Sequence, residues 1–133
     1  MKKTLFLGVT AWLLLSYGCE NTTESTVGSP NDTPIANMSF TIDTTYVSST
    51  SLCAKGKVQN VGPGTKSPPW YVEAQFYTDS TYTLKLGGNY ATISVPLSQG
   101  QSTFWTITFS SSNVDVRNYP NFRVGDLRAI YKN

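Results

Sequence analysis

The chain predicts an all-β fold, a sandwich of about seven short antiparallel strands, and three observations carry that reading. Apolar and polar residues alternate with a period of two in one short segment after another. Clusters of Gly, Pro, Asn and Ser separate these segments at intervals of roughly ten residues. After residue 37 no apolar period of 3.6 persists over the length of an ordinary helix. Thr, Val, Tyr and Phe dominate instead, and they suit a pleated, half-covered surface.

The elements follow in order. Met38, Phe40 and Ile42 alternate with polar residues and begin the first strand. Leu52, Ala54, Gly56 and Val58 repeat the pattern, with Lys55 and Lys57 on the opposite face. Asn60-Val61-Gly62-Pro63-Gly64 is a turn cluster. In Trp70 to Thr78, Val72, Ala74 and Phe76 share one face, and Tyr71, Glu73, Gln75 and Tyr77 the other. Two short strands are expected at Tyr82–Leu86 and Tyr90–Val95, with Gly87-Gly88 as the hairpin tip between them. Gly100-Gln101 precedes a strand from Thr103 to Ser110, where Trp105, Ile107 and Phe109 align. Phe122 to Tyr131 supplies the last strand. This count and spacing indicate a single immunoglobulin-like β-sandwich, with an open barrel as the competing fold. The Cys…Trp…Cys pattern of antibody domains is absent, so the kinship is architectural.

Residues 1–36 have a different texture. Lys2 and Lys3 form a positive n-region, Leu5 to Leu15 an apolar h-region, and Ser16-Tyr17-Gly18-Cys19 a processing site. The apolar run is well short of the ~20 residues that a spanning helix needs. Gly18 before the cut suits both ordinary secretion and lipoprotein processing, but a cysteine directly after it points to the second. Leu15 sits one place early and Ser16 stands where Leu or Val is usual, so the lipobox is a relaxed one. Residues 1–18 therefore read as a lipoprotein signal peptide and Cys19 as the lipidation site. Residues 19–36, rich in Thr, Ser, Asn and Pro, read as a flexible tether that has too little to bury to offset its ordering entropy. The β-sandwich domain occupies 37–133. The expected location is the bacterial cell envelope, lipid-anchored, with Glu20 favouring the outer membrane over the inner.

The 133-residue chain has a formal net charge of +2, and losing Lys2 and Lys3 on processing brings it to zero. No strong field is left to recruit nucleic acid, and membrane attachment falls to the lipid. Of the 2 cysteines, lipidation consumes one, so Cys53 has no partner for an intramolecular disulfide. Its phase differs from that of Leu52 and Ala54, which puts it on the more exposed face.

Lys55-Gly56-Lys57-Val58-Gln59-Asn60-Val61-Gly62 resembles the strand and turn "G-x-V-x-N-x-G" of FxLYD-type domains. Val72 to Asp79 looks like their next strand, although Ala74 and Phe76 replace its Phe and Leu. Leu97-Ser98-Gln99-Gly100-Gln101 with Phe104 is similar to their "L-x-P-G-x…F" element, with Gln99 in place of Pro. The resemblance implies a small extracytoplasmic β-sandwich with no catalytic residues.

The chain contains no histidine, which removes the commonest general base, the commonest metal ligand and every Ser-His-Asp triad. Asp43, Glu73, Asp79, Asp115 and Asp126 are far apart in sequence, no calcium loop is present, and no glycine-rich phosphate loop appears. Neither metal nor cofactor is expected. The aromatics remain. Tyr71, Glu73, Gln75 and Tyr77 on one strand face would form an aromatic patch with polar groups interleaved, suited to a protein interface or to stacking on sugar rings. The plainer reading is that tyrosines are simply favoured in antiparallel sheets. Asp43-Thr44-Thr45 and Asp79-Ser80-Thr81 resemble bacterial O-glycosylation triplets, with Thr44 and Ser80 as acceptors. The function expected is that of a non-catalytic envelope lipoprotein acting through contacts with an envelope protein. The runner-up is a carbohydrate-binding module, and a small hydrolase comes third.

Overall fold

The computed structural model describes residues 28–133. The signal-peptide reading, Cys19 and the first part of the expected tether lie outside them. Seven strands form: β1 (Thr33–Pro34), β2 (Met38–Val47), β3 (Leu52–Asn60), β4 (Trp70–Tyr77), β5 (Lys85–Ile93), β6 (Ser102–Phe109) and β7 (Arg123–Tyr131). A 3₁₀ turn, Val116–Asn118, precedes the last. They build two sheets, β1-β7-β4-β5 and β2-β3-β6, and every neighbouring pair is antiparallel. The protein is a β-sandwich. Its order matches the A-B-E and C′-C-F strands of an immunoglobulin sandwich, with two-residue β1 where a G strand would pair.

The period-two alternation does what it should. Val72, Ala74 and Phe76 of β4 face Leu52, Ala54 and Val58 of β3 and Trp105, Ile107 and Phe109 of β6 in one core cluster. Phe76 stacks between Phe109 and Phe122, with ring centroids 5.6 and 5.9 Å away. The turn after β3 is held by the buried Asn60 side chain. Its amide donates to the carbonyls of Gly64 and Leu97 at 2.8 and 3.0 Å, and its carbonyl accepts from the Gly62 N–H. One side chain thus ties the β3 turn to the strand of chain before β6.

Several details differ from expectation. The two short strands expected on either side of Gly87-Gly88 are one strand, β5, and the glycines lie inside it. Gly87, at φ +154°, passes so close to β6 that a Cβ there would lie 2.4 Å from the Phe109 ring. Close approach, not a turn, accounts for the residue. The real tip spans residues 78–84, closed by the Thr78 N–H on the Leu84 carbonyl at 3.0 Å. Cys53 is buried, although it has the expected phase on the outer side of its sheet. Its register partners are Tyr46 and Thr108. The hydrogen bond between the Tyr46 hydroxyl and the Cys53 thiol is the first cause that pushes the Tyr46 pKa up, with their electrostatic coupling next. The strand also begins earlier than a domain from residue 37 allows, since Thr33 and Pro34 pair with Tyr131 and Ile130.

Gly56 tests the packing. It sits under the Trp105 indole, where a Cβ would lie 2.6 Å from the ring and 1.9 Å from the Thr41 carbonyl oxygen. The second contact is backbone and cannot swing away. Gly56→Ala should therefore destabilise the fold by about 2–3 kcal/mol, read from the denaturation midpoint at unchanged slope.

Candidate functional site

The face of β4 on which the sequence places Tyr71, Glu73, Gln75 and Tyr77 is not an open platform. Glu73 is 1% exposed and Tyr77 8%, while Tyr71 and Gln75 are half-buried. The cover is the N-terminal segment. The Gly28 N–H donates to Glu73 Oε2 at 2.8 Å, and Arg128 Nε donates to the same oxygen at 3.1 Å. Lys132 Nζ lies 3.6 Å from Glu73 Oε1 and 3.7 Å from Asp32 Oδ2, and Arg128 reaches Asp32 at 3.8 Å. These longer contacts are ion pairs without hydrogen-bond geometry. The Ser29 carbonyl accepts from Arg128, the Ile35 N–H donates to the Ala129 carbonyl at 2.8 Å, and Asn133 donates to Asn31.

Residues 28–35 therefore form a strap fastened across β4 and β7. The chemistry explains why. A carboxylate buried on a sheet face needs both charge and hydrogen-bond partners. Arg128 of β7 and Lys132 just after its end supply the charge, and the strap supplies an N–H and a second carboxylate. Lys132 is drawn further in by the rings of Tyr90 and Tyr71, whose centroids lie 4.4 and 5.5 Å from its Nζ and which meet each other edge to face. At the far end of β4 the Tyr77 hydroxyl donates to Asp126, and this bond is the first cause that raises the Tyr77 pKa above its ordinary value.

Asp32 and Glu73 are thus brought together despite their separation in sequence, but about two cations and beneath the strap. Among the described residues no group of three or more Asp, Glu or Cys side chains could hold a metal. Asp79 and Asp115 are each satisfied locally. Bonds from Thr81 hold the Asp79 carboxyl below its usual range, and bonds from Arg117 do the same for Asp115. Ser80 lies exposed in the 78–84 tip, and Thr44 lies exposed on the outer face beside Lys55.

The open surface is on the other sheet. The outward residues of β2, β3 and β6 line up as Thr41–Lys57–Phe104 and Thr44–Lys55–Thr106. Phe104 is 73% exposed and Tyr46 44%. Lys57 Nζ sits 5.5 Å from the Phe104 centroid and Lys55 Nζ 5.7 Å from that of Tyr46. Sequence reading placed these lysines outward but named Phe104 only as part of the family-like element, not as an outward residue, although it differs from its core neighbours Trp105 and Ile107 by phase. That phase was the available signal. A groove of about 620 Å³ lies elsewhere, between Leu86–Asn89 and Phe109–Val114, lined by Ser110, Ser111, Ser112 and Asn113.

Comparisons with family models, curated proteins and solved structures give no match. The FxLYD-type resemblance rests on the strand and turn residues alone.

Glu73→Gln keeps the shape and removes the charge on which the strap converges. It should destabilise the domain by about 3 kcal/mol in chemical denaturation, the scale for removing one partner of a buried ion pair.

Proposed function

We propose that the chain is a non-catalytic, lipid-anchored envelope lipoprotein that works through protein contacts of its sandwich domain. The observation that carries this reading is the outer face of the β2-β3-β6 sheet. Four side chains there, Phe104, Tyr46, Lys55 and Lys57, are exposed together on one sheet face. A phenylalanine exposed to this extent in mid-strand costs solubility and contributes nothing to the core. Exposed aromatic rings are frequent anchors of protein interfaces, and charged side chains such as Lys55 and Lys57 suit the rim around them. The β4 face that the sequence nominated has a different task, since its polar groups hold the strap. The anchor itself is read from Lys2, Lys3, the apolar run and Cys19.

A second reading, carbohydrate binding, draws support from the hydroxyl-rich and amide-rich groove between β5 and residues 110–113. It predicts glycan binding that an Asn89→Ala or Asn113→Ala change weakens.

The first reading is tested in the native envelope. A photo-crosslinking side chain in place of Thr106, beside Phe104, should join one specific protein neighbour, and the product should disappear in a Cys19→Ser background. A purely random set of products, or acylation that persists in Cys19→Ser, would contradict it.

A further inference from the structure

We infer that the groove beside β5 takes an extended, uncharged polypeptide segment, which pairs as an added strand with the bare edge at Gly88. The site is separate from the Phe104 face and independent of the lipid anchor.

The backbone of the edge is the first argument. β5 ends the β1-β7-β4-β5 sheet and has a strand neighbour only on its β4 side. Antiparallel pairing turns the N–H and C=O of alternate residues toward the neighbour and away from it. The Tyr90 N–H donates to Asn89 Oδ1 at 2.9 Å, so Tyr90 is one of the residues turned away from β4. The Ile35–Ala129 bond at the other edge of the sheet gives the same parity, carried through the β7–β4 and β4–β5 registers. Gly88, two residues before Tyr90, therefore also turns its N–H and C=O to the open edge. A Cβ at Gly88 would lie 2.6 Å from Gln75 Oε1 and 2.8 Å from the Ala74 carbonyl oxygen, and one at Gly87 would meet the Phe109 ring. Both positions are held to glycine, and this length of edge carries no side chain.

The second argument is that β5 lacks the devices that blunt the other edges. Sheet edges are ordinarily guarded by charges, prolines, bulges or a covering segment. β7 is partly covered by β1 and is irregular at Asp126, β2 is bulged at Asp43, and β6 runs beside β5. From Leu86 to Ile93 β5 has no charged residue and no proline, and its register shift falls at its start, at Leu86. Asn89 caps the edge at Tyr90, which centres pairing on Gly88 and the groove.

The groove selects what the added strand carries. It has a volume of about 620 Å³, bordered by the apolar Leu86, Phe109 and Val114 and by the hydroxyls and amide of residues 110–113. No lining residue is charged. A carboxylate or ammonium entering it would lose water without gaining a partner, and so would a lipid phosphate. Sugar rings stack on open aromatic faces, but Phe109, the aromatic residue of the lining, is 8% exposed and stacks on Phe76. An extended backbone satisfies Gly88, and alternate uncharged side chains enter the groove.

The test titrates the full chain with a fluorescent synthetic peptide of alternating Thr and Val, read by anisotropy and by the amide resonance of Gly88. Saturable binding that shifts this resonance is expected. Ser112→Trp fills the groove from an exposed position and should weaken binding about tenfold while leaving the denaturation midpoint unchanged. The same peptide N-methylated at every residue should also bind about tenfold more weakly, the scale of one or two lost hydrogen bonds. Absence of saturable binding, a Gly88 resonance that does not move, or binding that Ser112→Trp or N-methylation leaves intact would each overturn the inference. Occupation of the groove by a neutral xylo-oligosaccharide in preference to the peptide would overturn it in favour of the carbohydrate reading. The Thr106 cross-link reports on the Phe104 face alone, so failure there and failure here are distinguishable.

Discussion

The rest of the molecule depends on one buried carboxylate. Glu73 stands in the middle of β4 on the face turned away from the core, and it is nonetheless 1% exposed beneath the strap. A carboxylate in such a place must be neutralised and hydrogen-bonded, or the strand does not form as seen. Arg128 and Lys132 come from the neighbouring strand and its end. The Gly28 N–H and Asp32 come from a segment whose composition suggests no structure at all. The charge requirement recruits the N-terminal segment, and that segment then supplies β1, the only strand beyond β7 in its sheet.

The two sides of the sandwich are made unequal in this way. One sheet is closed on its outer side by the strap, by Tyr90 over Lys132 and by the Tyr77–Asp126 contact. Among the described residues nothing is laid over the other. Its outward residues are threonines, two lysines, Phe104 and Tyr46, with Cys53 sheltered beneath the last. Both edges of this open sheet are modified against uncontrolled strand pairing. β2 is broken by the bulge at Asp43, and β6 runs beside β5, where the Asn89 amide donates to the Thr108 carbonyl at 2.6 Å. The face is therefore available while the edges are not, which suits side-chain recognition better than strand addition.

Much of the fold was legible because local pattern and tertiary outcome agree. In β4 and β6 the alternation separates inward from outward residues without error, since both strands bury one face against the same core. Legibility ended where a distant partner decides the matter. Glycine pairs usually mark turns, but Gly87 is explained by the Phe109 ring across the sandwich, which no local window contains. Cys53 has the outward phase yet is covered, because Tyr46 from the next strand lies over it. The site shows the same limit more sharply. Tyr71, Glu73, Gln75 and Tyr77 do share a face, but whether a sheet face meets water depends on what else crosses it. A signal was present in Glu73, an acid amid Trp70 to Tyr77, and in Arg128 and Lys132, four residues apart in the last strand and just past its end. A polar tail that carries its own aspartate gives little hint that it completes such a set.

The account stands or falls on whether residues 28–35 belong to the folded domain. Native-state hydrogen exchange at the Gly28 and Ile35 amides measures this directly. If Glu73 and Ala129 hold the strap as described, both amides exchange far more slowly than a free chain, and Ile35 is protected nearly as well as the β4–β7 ladder. Exchange at free-chain rates at both positions, while β4 and β7 remain protected, would show the strap to be loose and would contradict the account.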